Sequence, residues 1–153
     1  MDTFFQEIIS RLEKLHDEIR EAVNGLPQEA LDWVPGSEMN SIGILLAHVA
    51  GSEKYWLGEV IAGSGSERDR AAEFETIGVP VDKLLTRLDD SLQYCREVLA
   101  NFGIDDLHAT RISPRDGRQV TLGWSLAHGL EHIAQHCGHI QVTRQFWALQ
   151  TNR

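Results

Sequence analysis

Four long stretches of this chain place apolar residues three and four positions apart, and this helical spacing limits the possible folds more than any other feature. The stretches are separated by segments rich in Gly, Pro and Asp. Ser41 and Thr121 are suitable N-caps for the second and fourth stretches, Pro80 suits the first turn of the third, and Gly63 ends the second. The predicted helices cover residues 4–23, 41–61, 80–99 and 121–140, and the last can extend toward Trp147.

Helices with one apolar face must bury that face against another element. Four of them predict an all-α fold, a four-helix bundle. The connections, about 15 residues each at 25–40, 63–79 and 103–120, are long for a minimal bundle and leave room for loops that cover one end. A short hairpin is expected around Arg111 to Val120, with Asp116-Gly117 at its turn.

Length, charge, the absence of targeting signals and the cysteine count indicate the general class of protein. A chain of 153 residues predicts one domain over residues 1–153. The net charge of -9, with no Lys/Arg-rich run, disfavours nucleic acids and anionic lipid surfaces as partners. The N-terminus lacks the pattern of a signal peptide and no stretch reaches the length of a membrane span, so a cytoplasmic protein is expected. Cys95 and Cys137 are predicted to be reduced, buried thiols.

The most informative feature is a cluster of histidines on the fourth predicted helix. Four of the seven histidines lie within twelve residues, at positions 128, 132, 136 and 139. With about 100° per residue, His132 and His136 lie at the edge of the apolar stripe, whereas His128 and His139 turn further toward solvent. Residues four apart on a helix stand above one another, so His132 and His136 can point at one ion.

A metal site in a bundle also needs a ligand from a facing helix. His48, at the flank of the second helix, is the candidate. Glu53 falls inside the apolar stripe of that helix, where an unpaired carboxylate would cost several kcal/mol. It therefore needs a partner: a metal-bound histidine N–H, an internal Arg or the metal itself. Three imidazoles leave positions for water or substrate, as in catalytic sites.

Simpler interpretations remain for each residue. An i, i+4 histidine pair is often a solvated or hydrogen-bonded surface pair. His16 and His108 stand alone and are interpreted as surface or loop residues, and Cys137 as a small packed apolar residue.

Two stretches resemble the DinB-like superfamily of metal-binding four-helix bundles, the DinB/YfiT-like metalloenzyme fold. The first runs from Asn40 to His48, followed by Glu53 and Trp56, and is similar to the family's second-helix pattern. The second runs from Val120 to His128 and continues through His132 to Ile140, and is similar to the pattern of its last helix.

The resemblance implies that the metal ligands are His48, His132 and His136, the trio that the helical positions select independently. It implies a divalent metal, Zn or Ni, and a homodimer. Many members follow the last ligand with Arg-Gly-Gln, whereas this chain has Cys137-Gly138-His139. His139 is therefore a candidate for contact with the substrate or with a ligand, as are His128 and Glu53.

These features lead to hypotheses of different classes. If the protein is an enzyme, the resemblance implies a thiol-dependent S-transferase of the bacillithiol, mycothiol or glutathione type, with the metal holding a low-molecular-weight thiol for a small-molecule substrate. The alternative is a non-catalytic, stress-related binding or sensor bundle whose histidine site is structural or vestigial. Bis-histidine haem binding is a weaker third hypothesis, because no residue pattern marks a pocket for a planar macrocycle.

Overall fold

The computed structural model of the protein describes residues 1–151. In chain order its helices are α1 (Thr3–Val23), α2 (Gln28–Asp32), α3 (Ile42–Glu53), α4 (Val60–Ala62), α5 (Arg70–Phe74), α6 (Val81–Leu99) and α7 (Leu122–Thr151). A π-helical segment, Lys54–Glu59, joins α3 to α4 without a break, and a 3-10 helix covers Ile104–His108. Strands β1 (Thr110–Ile112) and β2 (Gln119–Thr121) form an antiparallel hairpin.

The four predicted helices form the bundle, which confirms the all-α fold. Helix α3 packs against α6 and α7, and α1 packs against the same two helices, so α1 and α3 occupy opposite corners. One continuous apolar core fills the space between them, with Phe5, Leu46, Leu88 and Ile133 among its fully buried side chains. Among the described residues, none of the helices combines the length and apolar character needed to cross a membrane.

The helix ends follow the local signals of the sequence. The Ser41 hydroxyl accepts a hydrogen bond from the Ile44 amide at 3.2 Å and caps α3. Gly63 ends α4 in a left-handed conformation with φ of 69°, and Pro80 precedes α6. The hairpin also lies where it is expected, with Arg111 opposite Val120.

Helix α3 was predicted to have one apolar face and one polar face. In the structure it is buried on nearly all sides. Of its residues, only Ile44 and Gly51 are partly exposed, and the others are buried. The short helices α2 and α5, which lie in the segments predicted as loops, pack on the face of α3 that the bundle leaves open. A helix covered on all sides loses the single apolar stripe of a surface helix.

The second predicted helix also contains a π-helical turn that its apolar spacing does not reveal. In Lys54–Glu59 the backbone hydrogen bonds reach five residues back, which widens the helix by one residue. Tyr55, Trp56 and Leu57 in this segment are buried. Because every residue from Tyr55 to Glu59 is buried, the apolar spacing gives no sign of the inserted residue.

Helix α7 approaches the π-helical segment closely at Gly129. A Cβ atom at this position would lie 2.7 Å from Leu57 Cγ and 2.8 Å from its Cδ2. Such distances are well inside van der Waals contact, and Leu57 is fully buried and has no room to withdraw. The absence of a side chain at Gly129 therefore sets how closely α7 lies against the helix that carries His48.

We expect Gly129→Ala to destabilise the protein by about 1–3 kcal/mol, because the added methyl group overpacks the contact with Leu57. Gly138→Ala in the same helix is the matched control, since a Cβ there meets nothing within 4 Å. That variant should gain about 0.5–1 kcal/mol from the higher helix propensity of alanine. Urea unfolding of both proteins measures the difference, and equal effects of the two substitutions would contradict the close contact.

Candidate metal site

The structure brings His48 of α3 together with His132 and His136 of α7. One ring nitrogen from each of the three lies within 4.8 Å of the others, and we call these three residues the His cluster. His48 Nε2 is 3.2 Å from His132 Nε2. The rings meet because α3 and α7 are packed neighbours and because positions 132 and 136 lie one turn apart on the same face.

A carboxylate fixes the orientation of the His48 ring. His48 Nδ1 lies 2.8 Å from Glu73 Oε2, and His48 is 6% exposed. With its proton on Nδ1 and donated to Glu73, the ring presents an unprotonated Nε2 to the rest of the cluster. A carboxylate behind a metal-binding histidine holds the tautomer and makes the imidazole a better ligand.

Glu73 is itself held by Arg68 in a two-point ion pair. The Arg68 side chain donates from Nε to Oε1 at 2.6 Å and from a terminal nitrogen to Oε2 at 2.8 Å. Burial raises the pKa of the Glu73 carboxyl, but the hydrogen bonds from Arg68 and His48 outweigh it and bring the pKa below its ordinary value. Glu73 is therefore a carboxylate at neutral pH.

Gly51 makes room for this carboxylate. A Cβ atom at Gly51 would overlap Glu73 Oε1 and lie 2.8 Å from Cδ of the same side chain. Any other residue at position 51 would push the carboxylate away from its place beside His48. Gly51 thus lets the Glu73 side chain lie directly against α3.

No pattern in the sequence indicated Glu73, Arg68 or Gly51 as residues of the site. Glu73 lies on α5, inside the segment predicted as a loop between residues 63 and 79. One local signal was present: Asp69 precedes helix-forming residues, and in the structure its carboxylate caps α5 by accepting from the Ala72 amide at 3.0 Å. The contact across 25 residues between Glu73 and His48 has no local signal.

His132 is held by a second polar contact and is uncharged. Its Nδ1 lies 3.2 Å from the hydroxyl of Ser52, which is buried on α3. Burial lowers the pKa of His132 to about 3, with further contributions from His136, His48 and His128. At neutral pH the ring is therefore in the form that binds a metal ion.

His136 and His139 form a pair at the solvent side of α7. Burial lowers the pKa of His136 to about 4, and the neighbouring His48 and His139 add to the effect. His139 Nδ1 lies 3.3 Å from His136 Nδ1, and His139 is exposed. The structure thus places His139 beside a member of the His cluster, in reach of its ring.

His128 lies outside the His cluster. Its ring stacks on Trp124 with the centroids 4.6 Å apart and meets the edge of Trp56 at 4.9 Å. The centroid of His132 is 5.9 Å away, too far for a hydrogen bond between the rings. Burial lowers the pKa of His128 as well.

Glu53 finds its partners away from the His cluster. Its Oε2 lies 2.7 Å from His16 Nε2, and its Oε1 accepts from the Ser91 hydroxyl at 2.8 Å. The partners of Glu53 are therefore His16 and Ser91, and not the metal-bound histidine, the arginine or the metal that the sequence led us to expect. The interpretation of His16 as a surface residue is wrong, because His16 is 2% exposed: the core carboxylate required a donor, and α1 supplies it.

Both cysteines are free and buried, as predicted. Burial raises the pKa of the Cys137 thiol to about 11, and the nearby Glu18 carboxylate adds to this. Burial also raises the pKa of Cys95. Neither thiol is a reactive thiolate at neutral pH.

The His cluster opens to a cleft of about 330 Å³. Besides the three histidines it is lined by Phe74 and by the polar side chains of Asn40, Arg70 and Gln135. Arg70 is exposed, and its guanidinium carbon lies 4.7 Å from the centroid of the Phe74 ring. A small molecule can thus approach the three ring nitrogens past a positively charged rim.

The low pKa values of His132 and His136 predict how the metal-free protein responds to pH. In the unfolded chain both imidazoles titrate near pH 6.5, whereas in the folded protein they titrate at about 3 and 4. The unfolded chain therefore binds more protons between pH 6.5 and 5, and the free energy of unfolding should fall as the pH falls through this window.

Urea unfolding in the presence of a chelator measures this slope. A variant with both His132→Asn and His136→Asn should show a flatter dependence than the wild type, because its substituted side chains do not titrate. Parallel curves for the two proteins would show that the two imidazoles are not kept neutral by the fold.

Comparisons with known proteins agree with this architecture. A sequence model of the DinB superfamily matches residues 11–140. No curated protein matches the chain in sequence. The crystal structure of a conserved protein from Enterococcus faecalis superposes on this protein with a TM-score of 0.78, and the match covers 95% of this chain and 97% of the other. The two sequences are 15% identical, so the similarity shows the fold alone. The family match spans most of the chain, including all three members of the His cluster, and the chain therefore belongs to the DinB superfamily.

Proposed function

We propose that this protein binds one divalent metal ion, Zn or Ni, through His48, His132 and His136, and that it uses the ion as a thiol-dependent S-transferase. The observation that carries the proposal is the convergence of three ring nitrogens within 4.8 Å of one another. Two of these rings have strongly lowered pKa values and are neutral at physiological pH.

The spacing of the donors fits a small divalent ion. Imidazole nitrogens bound tetrahedrally at about 2.0–2.1 Å from zinc are separated by about 3.3 Å. His48 Nε2 and His132 Nε2 are 3.2 Å apart. All three donors are nitrogens, which suit zinc and nickel better than calcium or magnesium.

The contacts behind the rings support the same proposal. Glu73 accepts from His48 Nδ1, and Ser52 Oγ can accept from His132 Nδ1, which leaves each Nε2 unprotonated. Such partners orient histidine ligands in metal sites. A surface histidine pair would have no need of a buried carboxylate held by an arginine.

An ion held by His48, His132 and His136 would lower the pKa of a thiol and so supply a thiolate nucleophile at neutral pH. The protein's own residues would orient the reactants. Arg70, at the rim of the cleft, offers a positive charge to an anionic group of the thiol, and Asn40 and Gln135 offer hydrogen bonds. The cleft of about 330 Å³ suits a small molecule.

We also propose that the protein forms a homodimer. The last part of α7 exposes Val142, Phe146 and Leu149 on one face, at the spacing of a helix that packs against a partner. Apolar side chains of this size in a row favour contact with a second apolar surface. Light scattering at micromolar concentration tests this, and a monomeric mass would contradict it.

Metal analysis of the untagged protein tests the ligand set. We expect about one zinc or nickel ion per wild-type chain and none in His132→Ala, because two imidazoles hold the ion too weakly to survive purification. His108→Ala is the control, since His108 is exposed and lies outside the His cluster. A wild-type protein without a stoichiometric ion, after expression with added zinc and nickel, would contradict the proposal.

Glu73→Gln should lower the affinity for zinc about tenfold, because an amide is a weaker acceptor for His48 Nδ1 than a carboxylate. Gly51→Ala should lower it in the same direction, since the new methyl group displaces the Glu73 carboxylate. Competition with a zinc-binding dye measures the affinities. Glu75→Gln removes an exposed carboxylate two residues away and should leave the affinity unchanged; equal losses in Glu73→Gln and Glu75→Gln would exclude an orienting role for Glu73.

A thiol-conjugation assay separates the S-transferase from a non-catalytic binding protein. The wild type, loaded with zinc or nickel, is mixed with an electrophile and with glutathione, bacillithiol or mycothiol. Turnover that a chelator removes and that His132→Ala lacks supports the enzyme. Stoichiometric metal without turnover for any of these thiols indicates a binding or sensor protein.

A further inference from the structure

A second and larger cavity lies between α3, the π-helical segment and α6, beneath the chain at residues 65–69. Its volume is about 980 Å³. The Arg68–Glu73 pair forms part of its wall, and His48, His132 and His136 do not line it. The cavity is therefore open to a molecule that does not touch the His cluster.

A buried carboxylate in the wall of this cavity lacks a hydrogen-bond donor. Glu59 is 6% exposed, and none of the described residues donates a hydrogen bond to its Oε2. Oε2 is enclosed by the protein, whereas the other oxygen, Oε1, lies 3.8 Å from Lys54 Nζ, beyond hydrogen-bond distance, and is the oxygen left for a ligand. A carboxylate can only accept hydrogen bonds, and leaving a buried one unsatisfied is costly, so a ligand that contacts Glu59 would have to be a donor.

The charges around the cavity favour a cation. Five acidic and three basic residues line it, and Arg68 and Glu73 neutralise each other. The balance of the others is negative: Glu59, Glu67, Asp69 and Asp90 stand against Lys54 and Arg87. An anionic ligand would meet this excess of negative charge, whereas an organic cation would be attracted by it.

The local backbone and an aromatic ring also shape the cavity around Glu59. In a π-helix, residues five apart stack, which places Lys54 and Glu59 on one face of the segment. Next to Glu59, the Tyr94 ring packs directly against Gly58, where any Cβ would overlap it. Tyr94 already has a cation nearby, since Lys54 Nζ lies 5.7 Å from the ring centroid, and aromatic rings stabilise cations in such positions.

We propose that this cavity binds a small organic cation whose ammonium or guanidinium group donates a hydrogen bond to Glu59 Oε1, the carboxylate oxygen beside Lys54. The buried carboxylate neutralises the charged group, the Tyr94 ring lies beside it, and Asp90 at the exposed rim attracts further positive charge. The site is independent of the metal ion proposed for the His cluster.

Isothermal titration calorimetry with spermidine as the probe tests the proposal. We expect saturable binding of one spermidine per chain in the wild type, and an affinity at least about tenfold weaker in Glu59→Gln, the loss expected when a charged hydrogen-bond partner is replaced by an amide. Asp90→Asn, which removes one negative charge from the exposed rim, is the matched control and should weaken binding only about two- to threefold. Equal losses in the two variants, or no binding to the wild type, would overturn the proposal.

Two further measurements locate the site and exclude a purely structural role for Glu59. His132→Ala should bind spermidine as the wild type does, whereas loss of binding in that variant would place the amine at the His cluster and overturn the proposal. Without ligand, Glu59→Gln should melt at or above the wild-type temperature, because it removes a buried, unsatisfied charge. A lower melting temperature together with unchanged spermidine affinity would identify Glu59 as a structural partner of Lys54 and would also overturn the proposal.

Discussion

The candidate site depends on the packing of α3 against α7. His48 belongs to one helix and the other two members of the His cluster to the other, so the three nitrogens converge only while these helices stay in contact. Gly129 permits the close approach, because Leu57 occupies the space that a side chain at position 129 would need. Packed interiors resist small displacements, and this gives the ring nitrogens fixed relative positions.

The burial of α3 accounts for the polar network around the site. A helix covered by α2, α5, α6 and α7 has no solvent to satisfy its polar side chains, so each one requires a partner from another element. His48 obtains Glu73 from α5, Ser52 meets His132 from α7, and Glu53 meets His16 from α1 and Ser91 from α6. These contacts connect α3 to α1, α5, α6 and α7, and those of Glu73 and Ser52 orient the rings of His48 and His132.

The two cavities lie on faces of α3 with different chemistry. On the side of α7, the three imidazoles of the His cluster and the Arg70 guanidinium surround a small cleft, and the three ring nitrogens could hold a metal ion. On the side of α6, an excess of carboxylates surrounds a larger cavity that suits a cation. The Arg68–Glu73 pair lies between them, contacting His48 through Glu73 while lining the larger cavity. Two hydrogen bonds from Arg68 to Glu73 hold the two side chains in a fixed arrangement between the cavities.

The order of residues along the chain determined the four long helices, the residues near which they begin and the three candidate histidines, whereas α7 continues to Thr151, beyond its predicted end. The signals that identify them are local: apolar periodicity, caps such as Ser41, and the i, i+4 spacing of His132 and His136. Each of these depends only on residues that are close together in the chain. Only the tertiary structure decided which groups satisfy the buried polar atoms. It paired His16 with Glu53 across 37 residues and Glu73 with His48 across 25, and it placed short helices where the sequence indicated loops. Such pairs depend on how the helices pack, because a buried donor or acceptor bonds to whichever partner the fold brings within reach. The number of residues between two positions in the chain does not indicate how far apart they lie in the folded protein.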